Sequence, residues 1–173
     1  MDAKDAVSPI SPETVNCREI GVVSNETKKA VVDAVTEVFK KMDFAGQPPE
    51  IISISQGAVV LPDGEEIESC YNFDPEKKGK PGKILVSAEK SKDAFKGSAI
   101  PIEVATAAFA AHEAVEHVNH MKGKELLIGS SIIPSQIHAK SPTENEANLI
   151  AREVIKNLFG WTVYFGDETP PDN

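Results

Sequence analysis

Apolar residues recur at Ala30, Val31, Ala34, Val35, Val38 and Phe39, the spacing of one helix face. Ser24 or Asn25 supplies an N-cap, so the pattern predicts a helix from there to about Met42. Gly46-Gln47-Pro48-Pro49 ends it. Period-two and β-branched runs follow at Ile51-Ile52-Ser53-Ile54 and Ala58-Val59-Val60-Leu61. After the turn Pro62-Asp63-Gly64 comes Glu68-Ser69-Cys70-Tyr71-Asn72-Phe73, which reads as the next strand of a meander. Lys83-Ile84-Leu85-Val86-Ser87 is a further strand, and the charged stretch up to Pro101 is helical or looped.

The longest apolar pattern covers residues 101–121. Ile102, Val104, Ala105, Ala107, Ala108, Phe109, Ala110 and Ala111 leave the first half of this helix no polar side, so it is covered on more than one flank. Gly123 is its C-cap. Residues 125–140 form pieces too short to classify. Ser141-Pro142-Thr143-Glu144 then places Ser at N-cap, Pro at N1 and Glu at N3, a capping box that opens a helix to about Phe159. Trp161-Thr162-Val163-Tyr164-Phe165 reads as a last strand. The order predicts an α+β fold in which a small, twisted, mostly antiparallel sheet packs against the helices. Residues 1–20, rich in Ser-Pro pairs, make a flexible or surface-pinned arm, residues 21–165 one domain, and residues 166–173 an acidic tail.

Charge and cysteine content narrow the function classes. The chain has 173 residues and a formal net charge of -9, which argues against a broad basic surface for nucleic acid. Cys17 and Cys70 stand far apart with no C-x-x-C spacing, so a disulfide framework and a zinc ribbon are both unsupported. Both are taken as packing residues. The start of the chain has no apolar signal core and no run is long enough for a membrane span, so the expected setting is the cytoplasm, with no membrane partner.

The candidate chemistry is concentrated in His112-Glu113-Ala114-Val115-Glu116-His117, with His120 close behind. Imidazole and carboxylate are the usual ligands of zinc and its neighbours. A helix turns about 100° per residue, so Glu113, His117 and His120 fall within about a 60° arc, while His112 and His117 stand about 140° apart. His112 and His117 share an ion only if the helix widens locally, as in a π-bulge. The plain alternative is a solvated face: Val104, Ala108, Ala111, Val115 and Val118 define a core stripe, and Glu113, His117 and His120 point away from it. The next helix opens with Glu144, which the capping box explains, and Glu146, a carboxylate without a local task beyond favouring the helix N-terminus.

The strand at 83–87, the buried helix with His112-Glu113, and the helix with Glu146-Ala147-Asn148-Leu149-Ile150-Ala151 together resemble the zincin-type metallopeptidases of the ImmA/IrrE family, over roughly residues 83–160. In that family H-E-x-x-H gives two zinc ligands and the Glu of E-A-N-x-x-A gives the third. The resemblance implies a zincin-like minimal domain that hydrolyses a peptide or protein substrate with Zn2+. His112, His117 and Glu146 would be ligands, and Glu113 the general base. The spacing departs from the family, because position 116 is Glu116 and the next histidine is His117. The resulting H-E-x-x-x-H is similar to the H-E-x-x-G-H spacing of dipeptidyl peptidase III. Three outcomes are open: the helix widens to bring His117 round, Glu116 replaces the second histidine, or the site has lost its metal. His120 is a further alternative ligand. His138 and Tyr164 are candidates for steadying an oxyanion, whereas Tyr71 and Trp161 read as core or edge-strand residues. The rival function is a non-enzymatic metal-binding or protein-interaction domain with a degenerate site.

Overall fold

The structure is a computed structural model, and it describes residues 15–77, 79–123, 142–166 and 168. Strand β1 (Cys17–Ile20) is followed by helix α1 (Asn25–Lys41) and strand β2 (Ile51–Ser55). A short hairpin of β3 (Val59–Val60) and β4 (Glu66–Ile67) leads to β5 (Ser69–Asn72) and β6 (Lys83–Ser87). Helices α2 (Ala88–Ala94), α3 (Ile102–Met121) and α4 (Pro142–Phe159) complete the order. No helix among the described residues is long and apolar enough to cross a membrane.

The fold is α+β, as the patterning predicts. Its main sheet has the order β1-β2-β6-β5 and is mixed rather than mostly antiparallel. β1 pairs parallel with β2 and β2 parallel with β6, while β5 runs antiparallel to β6. The reason lies in α1, which carries the chain back so that β2 runs in the same direction as β1. Part of the segment expected to be a flexible arm is therefore the edge strand β1, and Val15 just before it is buried. Residues 1–14 lie outside the described residues, as do 124–141 with the pieces at 125–140, His138 and the Ser141 cap, and 169–173 of the acidic tail. The expected last strand at 161–165 is not a strand and joins no described ladder.

Local chemistry explains the helix ends. Ser24 caps α1 by accepting from the Thr27 N–H at 3.1 Å, and Asp43, at φ 50°, turns the chain after it. Ser87, the last residue of β6, caps α2 by accepting from the Lys90 N–H. In the sheet, Ile52 and Ile54 of β2 pair with Ile84 and Val86 of β6, and these in turn with Tyr71 and Ser69 of β5. Paired residues point the same way, so this row forms the inner face of the sheet. The opposite face carries Arg18, Ser53, Leu85 and Cys70, and there Arg18 Nη2 donates to Ser53 Oγ.

Helix α3 is the centre of the molecule. It packs against α1, α2, α4, β5 and β6, and its residues from 104 to 119 are buried apart from Phe109. The all-round apolar first half is thus explained by neighbours on every side. The same cover continues over the second half, where the sequence becomes polar. Consequently Glu113 and His117 are not on a solvated face: their exposures are 4% and 0%.

Candidate metal centre

The polar half of α3 presents two stripes to two different neighbours. His112 and Glu116, one turn apart, belong to one stripe and face the start of α4. Glu113, His117 and His120 belong to the other and lie along β5.

Across the α3–α4 seam, His112 Nε2 lies 2.9 Å from Glu144 Oε1. One donor atom from each of His112, Glu116 and Glu144 can be chosen so that all lie within 4.8 Å of one another. One ion with bonds of about 2.0–2.2 Å can bridge such a group after small side-chain adjustments. His112 and Glu116 are buried, and the Glu144 side chain is 12% exposed. Glu113 adds a third carboxylate close enough to act electrostatically on His112.

This concentration of carboxylates around one imidazole controls the charge states. Burial alone would lower the His112 pKa, but Glu113, Glu144 and Glu116 together outweigh it and hold the ring well above the ordinary histidine range. The Glu113 carboxyl is raised, first by burial and then by Glu116 and Glu144, against the opposing pull of His112 and of a hydrogen bond from Ser69. Cys70, behind the same carboxylates, is pushed up to about 12 by burial, then by Glu113 and Glu116, and is an inert thiol. The fit to a cation rests on two features. Three buried or nearly buried carboxylates meet one imidazole, a surplus of negative charge that a divalent ion would neutralise. In addition, His112 Nδ1 is buried and meets no hydrogen-bond partner among the described residues.

The second stripe is already satisfied by the protein. Tyr71, on β5, holds both remaining histidines: its hydroxyl is 2.8 Å from His117 Nδ1 and 2.7 Å from His120 Nδ1, and it accepts from the Gly82 N–H at 2.8 Å. His117 Nε2 lies 2.8 Å from the Gln47 carbonyl, which can only accept, so Nε2 carries the proton and Nδ1 accepts from Tyr71. The single Tyr71 proton is then used, and His120 Nδ1–H must donate to the same oxygen. Burial lowers the His117 pKa to about 4, which keeps the ring neutral in this arrangement. Phe39, Phe44 and Tyr71 surround it, and Phe73 lies 4.4 Å from the His120 ring.

These contacts place each of the residues that the sequence singles out. His117 does not swing round to His112, because α3 continues as a regular helix and both ring nitrogens of His117 are committed elsewhere. His120 is tied to Tyr71. Glu116 stands where the helical repeat puts a partner for His112, the alternative raised by the altered spacing. Glu146 accepts from Asn119 Nδ2 at 2.7 Å and is not in the group, whereas Glu144, set aside as a helix cap, is. Tyr164 lies under the Arg152 guanidinium, 4.5 Å from its ring centroid, about two helical turns beyond Glu144. Trp161 packs against the core, as expected.

Sequence reasoning missed Ser69, whose Oγ donates to Glu113 Oε2 at 2.6 Å, and the hydrogen-bonding task of Tyr71. The signal available was their alternation in β5, which sends residues 69 and 71 to the same side. Comparison of the chain with protein-family models and with curated proteins finds no match to either, so the functional reading rests on this geometry.

Proposed function

We propose that the protein is a metal-dependent hydrolase of peptide bonds, with His112, Glu116 and Glu144 holding a divalent cation and Glu113 serving as general base. The observation that carries the reading is the convergence of one imidazole and two carboxylates on one buried point, beside a third carboxylate. Glu116 would take the place of the second histidine of H-E-x-x-H at the same one-turn spacing, and Glu144 the place of the third ligand. A donor set of one nitrogen and carboxylate oxygens is compatible with zinc and, through its harder oxygen ligands, with manganese or iron.

A cation held there supplies Lewis acidity to a carbonyl and to water. Glu113 contributes the proton chemistry: its burial and its carboxylate neighbours raise its proton affinity toward the range useful to a general base. Ser69 fixes Glu113 Oε2 and so limits the directions from which its carboxylate takes a proton. The peptide substrate is favoured by the position of β5, an edge strand of the main sheet that holds Ser69 beside Glu113. An extended chain can add to such an edge through its backbone groups.

The test is metal content by elemental analysis together with cleavage of a quenched peptide library, for wild type and Glu113→Gln. Expected is about one metal per chain in both proteins, with cleavage only in wild type. Cleavage surviving in Glu113→Gln would remove the general-base role. The low exposure of His112 and Glu116 favours one second reading, a structural ion in a non-enzymatic domain. Metal present in wild type without any cleavage would select it.

A further inference from the structure

A second feature of the α3–α4 seam bears on how His112 is held. Asn148 follows Glu144 by one helical turn, so both project from the same face of α4, and Glu144 on that face already meets His112. Asn148 is 6% exposed, and its Oδ1 is buried with no hydrogen-bond partner among the described residues. His112 Nδ1 is in the same condition. One atom is an acceptor and the other, in any state where Nε2 serves as a ligand, carries the ring's proton and is a donor. Two complementary buried atoms on the same seam are thus each left without a mate among the described residues, and a buried polar group in that condition is destabilising.

We infer that Asn148 is the positioning residue of the metal centre: once a cation takes His112 Nε2, His112 Nδ1–H donates to Asn148 Oδ1. Metal-bound histidines nearly always donate their second ring N–H to a carboxylate or carbonyl oxygen, which fixes tautomer and ring plane. Asn119 Oδ1 on α3 likewise meets no partner among the described residues, but it lies two turns along the helix from His112, about 10 Å in rise, too far for this task. Glu144 already holds Nε2, so the seam is prepared for the exchange: the ion would replace the Nε2 proton, and the proton on Nδ1 would gain its acceptor.

This inference rests on the metal reading above, and its test separates the two. Zn2+ affinity is measured by competition with a chromophoric chelator for wild type, Asn148→Leu and Asn148→Asp, with circular dichroism as the check on folding. Nitrogen-15 spectra of the histidine rings are recorded with and without Zn2+. Expected is an affinity about 10–100-fold weaker for Asn148→Leu. Asn148→Asp, a stronger acceptor of the same shape, should bind at least as tightly as wild type. The Zn2+-loaded wild type should show a slowly exchanging His112 Nδ1–H that is absent from Asn148→Leu. Equal Zn2+ affinity in wild type and Asn148→Leu, or no such proton in loaded wild type, overturns the role of Asn148 while leaving the metal centre standing. Should Asn148→Leu not fold, weakened binding by Asn148→Asp or the absence of that proton in wild type does the same. A wild-type chain that takes up no Zn2+ at all overturns the metal centre and the positioning role together.

Discussion

Glu144 reaches across from α4 to place Oε1 2.9 Å from His112 Nε2 on α3, while Glu146, two residues further on, accepts from Asn119 instead. The two carboxylates open the same helix and differ only in where the helical turn sends them. Their separation gives a direct test. Glu144→Gln should weaken divalent-metal binding by more than about tenfold, or 1.4 kcal/mol, and Glu146→Gln should leave it within about twofold. Titration with Zn2+ or Mn2+ decides it, and the reverse order would remove Glu144 from the ligand set.

His117 sits nearest in sequence to the metal group yet belongs to the tyrosine network. Its replacement should therefore act on stability rather than on metal. His117→Ala takes away the donor to the Gln47 carbonyl and the acceptor of the Tyr71 proton, and opens a cavity among Phe39, Phe44 and Tyr71. A loss of about 2–4 kcal/mol is expected from urea unfolding. Metal per folded chain should stay at the wild-type level; loss of the ion with the fold intact would place His117 among the ligands after all.

The same residue sets an acid limb of stability. In the folded protein its pKa is lowered to about 4 by burial, below the value of about 6.5 in an unfolded chain. From pH 6.5 down to 4 the unfolded chain therefore takes up a proton that the folded chain refuses. The contribution is complete above pH 6.5 and is lost as the pH falls toward 4, amounting to about 3 kcal/mol. His112 and Glu113 also titrate, so the measurement is a difference: the stability gap between wild type and His117→Phe should shrink by that amount between pH 7 and pH 4. A gap independent of pH would mean that His117 takes up its proton as readily in the folded chain as in the unfolded one, so that burial does not lower its pKa.

The backbone at Gly82 passes close to Tyr71, its N–H donating to the hydroxyl at 2.8 Å. A Cβ at this position would lie 2.6 Å from the Asn72 carbonyl oxygen and 2.8 Å from the Tyr71 hydroxyl. Gly82→Ala must therefore displace backbone as well as the ring, at a cost of about 2 kcal/mol. At Gly57 an added Cβ meets nothing within 4 Å, and Gly57→Ala should change stability by no more than about 0.5 kcal/mol. Denaturation midpoints for the two variants supply the comparison.

Where hydrophobic periodicity was strong, the elements were legible: α1 with its Ser24 cap, α3 and α4 all stand where the pattern puts them. Strand β1 escaped notice because it is an edge strand whose residues are mostly exposed, so Arg18 and Glu19 carry no alternation to read. Without β1 the crossover through α1 was invisible, and with it the parallel pairing of β1 with β2. In the site, His112 and His117 are the conspicuous pair in the sequence, and the helical repeat sets them apart. One turn beyond His112 stands Glu116, and that spacing was available from the start. Glu144 was obscured by having a sufficient local reason to exist. Nothing local reveals that Ser69 meets Glu113, because that contact joins residues far apart in the chain.

Strand β5 has a consequence for how errors in folding are exposed. Ser69 and Tyr71 project from the same side of the strand, one to Glu113 and the other to His117 and His120. A slip of a single residue against β6 would turn both side chains to the far face at once and bring Cys70 inward. The chain could not then keep a well-oriented Glu113 while misplacing its tyrosine, or the reverse. The short strand acts as a ruler laid along α3, so a molecule with the wrong register loses both sets of contacts together, and a half-correct intermediate has no advantage to preserve it.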